Sequence, residues 1–416
     1  MQRRVVVTGI GIVSPVGLTR ETTWSNLLAG VSGIGHISSF DSEEFETTIA
    51  GEADGFDATD YVGRKQARRM DRFVQFGVAA TLEAVEHAEL KITTENTERV
   101  AVIVSTGIGG IMTLSEQLGV LNSRGPSRVS PFLVPMMLPD MASGQISMLL
   151  GAKGPNFATV SACSSGADAI GVAFELIRSG KADFALAGGS EAAICPIGIA
   201  GFNSCKALSK RNDDPQKASR PFDAERDGFV MGEGGAVLVL ETVESAISRG
   251  VTPIAELIGY GATADAYHIT QPAPEGEGGA RAMKIALDNA GIAPHDIDYI
   301  NAHGTSTVLN DKNETMAMKT VFGDHARTVP ISSTKSMTGH LLGASGSLEA
   351  AVSAMVIQRG TVPPTMNLDV PDPDCDLAYT PNAARSLTIE IVMTNSFGFG
   401  GHNSSLVLSK PQNGAA

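Results

Sequence analysis

The stretch NFATVSACSSGADAIGVAFELIRSG, residues 156–180, changes character partway along its length. Its apolar, β-branched start, 157–160, predicts a buried strand. The run breaks at Ser161-Ala162-Cys163-Ser164-Ser165-Gly166, and a helical pattern follows from Ala167 to Arg178. Cys163 is therefore expected on a strand-to-helix elbow, at or just before a helix N-terminus. Unpaired N–H groups and the helix dipole there favour thiolate over thiol. Serine hydroxyls at that end can cap the helix. The elbow alone leaves two uses open, a reactive nucleophile or a small buried apolar side chain.

At 416 residues the chain is long for a single core and predicts two domains or two packed halves. Its 43% hydrophobic and 18% charged residues are those of an ordinary folded protein. A net charge of −14 argues against general nucleic-acid binding. The cysteines at 163, 195, 205 and 375 lack metal-type spacing. They predict no metal site, no disulfide framework and a reducing, cytoplasmic setting. No apolar run approaches the ~18 residues of a membrane span. The short run after Arg3 and Arg4 enters Thr8-Gly9-Ile10-Gly11 and reads as a first strand, not a signal peptide.

Strand, glycine-rich exit and helix recur along the chain in two cycles, giving halves over 1–251 and 252–411 and a tail over 412–416. A second helix is expected over 347–358. Gly166/Gly346, Val172/Val352, Ile177/Ile357 and Gly180/Gly360 recur at one offset, which favours a duplicated α/β unit. Apolar strands suggest sheets covered by helices on both faces. Residues 395–403 are expected to form a loop. The basic cluster Arg64, Lys65, Arg68 and Arg69 leads into a long helix and reads as a solvated face or, in so acidic a chain, a docking site for an acidic partner. Arg124 and Arg128 add further positive charge.

His303 precedes Gly-Thr-Ser-Thr, and His340 follows Lys335-Ser-Met-Thr-Gly. Like Cys163, each stands at a glycine-flanked element end, where α/β proteins place their sites. Singly, each reads as readily as a satisfied structural side chain. A cysteine, two histidines and a lysine in such settings together point to chemistry. Metal binding is the competing use, disfavoured because these residues lie far apart and no second cysteine joins them.

VSACSSGADAI, NAHGTST, KSMTGHLLGASG and NSFGFGGHN resemble, in order and spacing, motifs of the β-ketoacyl-[acyl-carrier-protein] synthases, most closely the elongating type II class. The resemblance runs from VVVTGIGIVSPVG at residue 5 almost to the end. It implies a thiolase-like α/β fold of two similar halves in five αβαβα layers, and a homodimer. It further implies decarboxylative condensation of malonyl-carrier protein with an acyl group held on Cys163, in fatty-acid elongation. His303 and His340 would stabilise the enolate, with Lys335 orienting them and Glu349 as its ion-pair partner. The N–H groups of Cys163 and Phe399 would hold the oxyanion. Thr305 and Thr307 match positions that bind the phosphopantetheine arm, although turn-forming hydroxyls are an equal reading. Phe399 matches a gatekeeper, with Gly398, Gly400 and Gly401 as its hinge. Ile108 would line the acyl channel or simply pack in the core. Lys65, Arg68, Arg69, Arg124, Arg128 and Lys206 would grip the acidic carrier protein. No cofactor is implied beyond the carrier's own arm. Three residues depart from the pattern: Val308 where proline is common, Asp140 where asparagine is expected, and His402 where threonine is frequent. A ketosynthase of a type II polyketide pathway shares these motifs. A non-catalytic chain-length subunit would lack the nucleophile.

Overall fold

Strand alternation builds the layers. The computed structural model describes residues 3–412; residues 413–416 of the expected tail lie outside the described residues. The main sheet contains β1 (Val5–Val13), β2 (Val100–Ser105), β3 (Phe184–Glu191), β4 (Gly234–Thr242) and β5 (Ala255–Ala264). It is completed by β6 (Tyr299–Asn301), β7 (Ile331–Ser332), β8 (Ile391–Gly398) and β9 (His402–Ser409). The hydrogen-bonded order is β2-β3-β4-β1-β5-β9-β8-β6-β7.

Successive side chains enter different cores, as the pleat requires. In β2, Ala101 and Ile103 face a central core, whereas Val100, Val102 and Val104 belong to a second core that also holds Phe73 and Ala80 of the Arg72–His87 helix. In the second half, Val392 and Leu406 face the central core, while Met393 and Val407 join Met283 and Ala286 of the Glu277–Ala290 helix. Two helices, Ser165–Arg178 and Ser345–Arg359, fill the centre through Ile170, Phe174, Leu348, Val352 and Met355. The layers run helix, sheet, helix pair, sheet, helix. Along one edge the two sheet halves join, where Val5–Val7 pair antiparallel with Ala255–Leu257.

The internal repeat is visible in the backbone. The 3-10 turn Ala162–Ser164 leads into one central helix and Leu342–Ala344 into the other. Ala162 (φ 51°) and Leu342 (φ 48°) hold the same left-handed conformation, uncommon for residues with a Cβ. Glycine lets the two helix starts touch. A Cβ on Gly166 would meet Gly343 O at 2.9 Å, and one on Gly346 would meet Ser396 Oγ at 2.6 Å and Ala167 N at 2.9 Å.

Two expectations are corrected. Residues 157–160 are not a buried strand, and Phe157 is 38% and Val160 55% exposed. Only Asn156 bridges to Val102 of edge strand β2. Phe157 N–H still donates to Val102 O (3.4 Å), but the ladder ends there and the backbone turns to side chains: Phe157 O accepts from Ser143 Oγ (3.0 Å) and Thr159 N–H donates to Ser105 Oγ (3.0 Å). Residues 395–403 are not a loop but the β8–β9 hairpin, closed over Phe399–Gly401 by positive φ at Gly400 (87°) and Gly401 (75°). The long helix expected after the basic cluster is Arg72–His87, preceded by the short helix Arg64–Ala67 within the cluster itself. Among the described residues no helix is long and apolar enough to cross a membrane.

Gly346→Ala should lower stability by about 1–3 kcal/mol through overpacking, read as a lower urea midpoint. An unchanged midpoint would mean that the helix starts have room to spare.

Candidate active site

The elbow around Cys163 is held by its serines, but not as helix caps. Ser161 N–H donates to Ser165 Oγ (2.9 Å), and that hydroxyl donates to Ala162 O (2.7 Å). Ser164 occupies the N-cap position without capping. Its hydroxyl instead reaches Ser396 O (2.9 Å) and His402 O (3.2 Å), one on each strand of the hairpin. The hairpin turn thereby comes over the elbow, and the Phe399 N–H is directed at the Cys163 sulfur. Asp168, on the first helical turn, accepts from Ser161 and from Tyr260 (2.9 Å) of β5, tying the elbow to the other half.

Cys163, His303, His340, Thr305, Thr307, Phe399 and Lys206 line one cavity of about 320 Å³. The two imidazoles meet edge to face with centroids 5.3 Å apart. Phe229 packs on His340 and Phe397 on His303, at 5.2 and 5.7 Å. Lys335 is buried behind the pair. It donates to His303 O (2.6 Å), pairs with Glu349, and lies 3.4 Å from His303 Nδ1. An ammonium has no acceptor, so His303 Nδ1 is left to accept and the ring proton belongs on Nε2. His340 Nδ1 lies 2.8 Å from Ser345 Oγ. Neither ring has a carboxylate partner in these contacts.

Burial, then the Lys335 charge, holds both histidines well below the usual imidazole range; His340 lowers His303 further. Both rings are neutral donors at physiological pH. The cysteine is different from what its helix end suggests. Burial pushes the thiol up to about 12, against the pull of Lys335 and the Phe399 N–H. The resting group is a thiol. Burial works against the thiolate that a helix end favours: Cys163 sits in the 3-10 turn, before the helix proper, and loss of water there raises it.

Two buried carboxylates escaped the sequence reading. Glu314 accepts from His303 N–H and Gly304 N–H, both at 2.8 Å, and its carboxyl is pushed up to about 7 by burial. Glu191 accepts from Gly107 N–H (2.8 Å), Gly343 N–H (3.0 Å) and Thr106 Oγ1 (2.6 Å), joining the two halves beneath the elbow. An acidic residue closing the largely apolar strand FALAGGSE was the available signal for Glu191. The helix Val308–Phe322, which carries Glu314, was also not foreseen.

Ile108 lies outside the cavity, on the turn after β2, and is 37% exposed. Thr307 is the N-cap of Val308–Phe322, its Oγ1 accepting from Asn310 N–H (3.4 Å) and lying 3.0 Å from Thr305 Oγ1. Thr307 thus serves the turn, while both threonines also line the cavity. Lys65, Arg68, Arg69, Arg124 and Arg128 are exposed and outside the cavity, and Lys206 is exposed at its lining. Asp140 and His402 are also exposed.

A cysteine on a tight turn and two neutral imidazoles, set between duplicated halves, are the features of a thiolase-like condensing enzyme. Residues 2–246 match the family model "Beta-ketoacyl synthase, N-terminal domain", and residues 254–369 match "Beta-ketoacyl synthase, C-terminal domain". The chain belongs to the β-ketoacyl synthase family. Among its relatives, 3-oxoacyl-[acyl-carrier-protein] synthase 2 of Synechocystis sp. is 51% identical over 99% of both chains. The protein of that name from Staphylococcus aureus (strain COL) is 52% identical over 98% of both. A beta-ketoacyl synthase from Burkholderia phymatum STM815 superposes with a TM-score of 0.91 at 37% identity, over 99% of this chain and 100% of that one. A type II PKS ketosynthase, solved in complex with its acyl-carrier protein, gives 0.92 at 36% over the same shares.

Because the thiol is raised, its alkylation by iodoacetamide should climb about tenfold per pH unit from pH 7 to 9, following the thiolate fraction. A plateau reached near neutrality, followed by peptide mass on Cys163, would show a thiolate already formed at rest.

Proposed function

We propose that the protein elongates fatty acyl chains by decarboxylative condensation of malonyl-[acyl-carrier protein] with an acyl group held on Cys163. The observation that carries this reading is the pair of neutral, carboxylate-free imidazoles sharing a cavity with a cysteine. A hydrolase would set a base beside its thiol; this site offers donors for a developing enolate.

In the first step the Cys163 sulfur attacks the acyl thioester. A new C–S bond forms, the bond to the pantetheine sulfur breaks, and the thiol proton leaves with that sulfur. The N–H groups of Cys163 and Phe399 stabilise the tetrahedral oxyanion. Malonyl-carrier protein then enters. Its C–carboxylate bond breaks, CO₂ departs, and the electron pair moves onto the thioester oxygen, where His303 Nε2–H and His340 donate. The enolate carbon attacks the Cys163 acyl carbon, the C–S bond to Cys163 breaks as the adduct collapses, and β-ketoacyl-carrier protein is released with a Cys163 thiolate that takes a proton from water. Neutral rings suit this role, since a permanent imidazolium would hold the malonate carboxylate as firmly as the enolate. No cofactor enters beyond the phosphopantetheine arm.

Partner, assembly and setting follow the same reading. Lys65, Arg68, Arg69, Arg124, Arg128 and Lys206, exposed and outside the ion pairs found among the described residues, suit an acidic carrier protein. The exposed apolar side chains Leu118, Val134, Met148, Phe157 and Val160 around edge strand β2 suit a second copy of the chain. Four free cysteines suit the reducing cytoplasm. The polyketide alternative is less favoured, since the 3-oxoacyl-[acyl-carrier-protein] synthase 2 relatives stand at 51–52% identity and the polyketide neighbour at 36%.

Incubation with acyl-carrier protein should add one acyl group to Cys163, seen by peptide mass. His303→Ala should keep that acylation and lose malonyl decarboxylation by about 100-fold or more. No adduct on Cys163 would sink the assignment, and equal loss of both steps would remove the role given to His303.

A further inference from the structure

Arg226 is 1% exposed at its side chain and belongs to none of the motifs discussed above. Its guanidinium reaches two successive carbonyls of the Thr305–Val308 segment: Nε donates to Thr307 O (3.3 Å) and Nη2 to Val308 O (3.1 Å). Nη1 donates to Asp223 O (2.7 Å) and Asp372 Oδ2 (2.6 Å), and Nε lies 3.4 Å from Asp311 Oδ2. The neighbouring loop grips the same segment. Arg220 N–H donates to Ser306 Oγ (2.9 Å) and Gly228 N–H to Ser306 O (3.2 Å), holding Ser306 at φ 68°.

That segment presents Thr305 and Thr307 to the cavity. Thr307 is the N-cap and Val308 the first residue of the Val308–Phe322 helix. Proline suits this first position because its ring fixes φ there and the helix needs no N–H from it. Valine gives no such restraint. We infer that Arg226 is a positioning residue for the Thr305–Thr307 hydroxyl pair, locking by hydrogen bonds a turn that this chain does not lock covalently. This rests on the reading that the two hydroxyls hold the phosphopantetheine arm of the carrier.

The test uses Arg226→Lys, which keeps the buried positive charge beside Asp311 and Asp372 but cannot fork to two carbonyls. With acyl-carrier protein as substrate, KM should rise about tenfold, the worth of roughly one good hydrogen bond, with kcat little changed. With an acyl-N-acetylcysteamine thioester, which lacks most of the arm, the variant should match the parent within about twofold. Adding Val308→Pro to Arg226→Lys should restore KM for the carrier substrate. Equal losses on both substrates, no change on either, or no rescue by proline in a double variant of parental melting temperature would each overturn the inference. Failure of the parent enzyme to acylate Cys163 would instead remove the functional reading on which it rests.

Discussion

The contact between the two central helix starts is the constraint from which the site follows. Gly166 lies against Gly343 and Ser347, and Gly346 against Ala167 and Ser396, at distances that leave no space for a side chain. That approach sets the Cys163 turn of one half beside the turn that holds Leu342 in the other. It also brings two helix N-termini, with their unpaired N–H groups, to one end of the core. A fixed positive field there favours the oxyanions of the proposed reaction without any mobile charge. The left-handed Ala162 and Leu342 are held by this packing and by the serine bonds around the elbow. Backbone strain of this kind persists where the surroundings over-determine it.

The electrostatics depend on one buried cation. Burial and then the Lys335 charge keep His303 and His340 neutral, and Glu349 answers the lysine's charge. A buried pair of this sort adds little stability beyond its desolvation cost, but removing one partner leaves an unpaired charge. Its value here is chemical: two uncharged donors with assigned orientations. The resting thiol fits the same environment. A water-poor cavity that raises Cys163 also strengthens every hydrogen bond the transition states would receive.

Much of this site was legible along the chain because its residues stand at glycine-flanked ends of strands and helices. Cys163, His303, Lys335 and His340 could be found that way, and Phe399 through the family resemblance. Glu314 and Arg226 could not, and Glu191 offered only its acidic place at the end of a largely apolar strand. Each satisfies backbone groups of other segments, from 10 residues away for Glu314 to 152 for Glu191, and no motif spacing marks that partnership. The misread strand at 157–160 has a related cause: apolar, β-branched residues signal burial, but this segment flanks an edge strand and spends its backbone on Ser143 and Ser105. In the hairpin at 395–403, the glycines that suggested a loop serve a tight turn between paired strands.

Periodicity and glycine placement favoured a duplicated α/β chain, because those signals are local and repeat at a constant offset, but by themselves they left Cys163 open between a nucleophile and a buried apolar side chain. The protonation states were beyond such reading. A helix end argued for a thiolate; the folded protein, by withdrawing water from Cys163 and placing Lys335 behind two imidazoles, made a thiol and two neutral rings. Desolvation and charge separation are properties of the assembled interior, and they exist only once distant segments have closed around the same cavity.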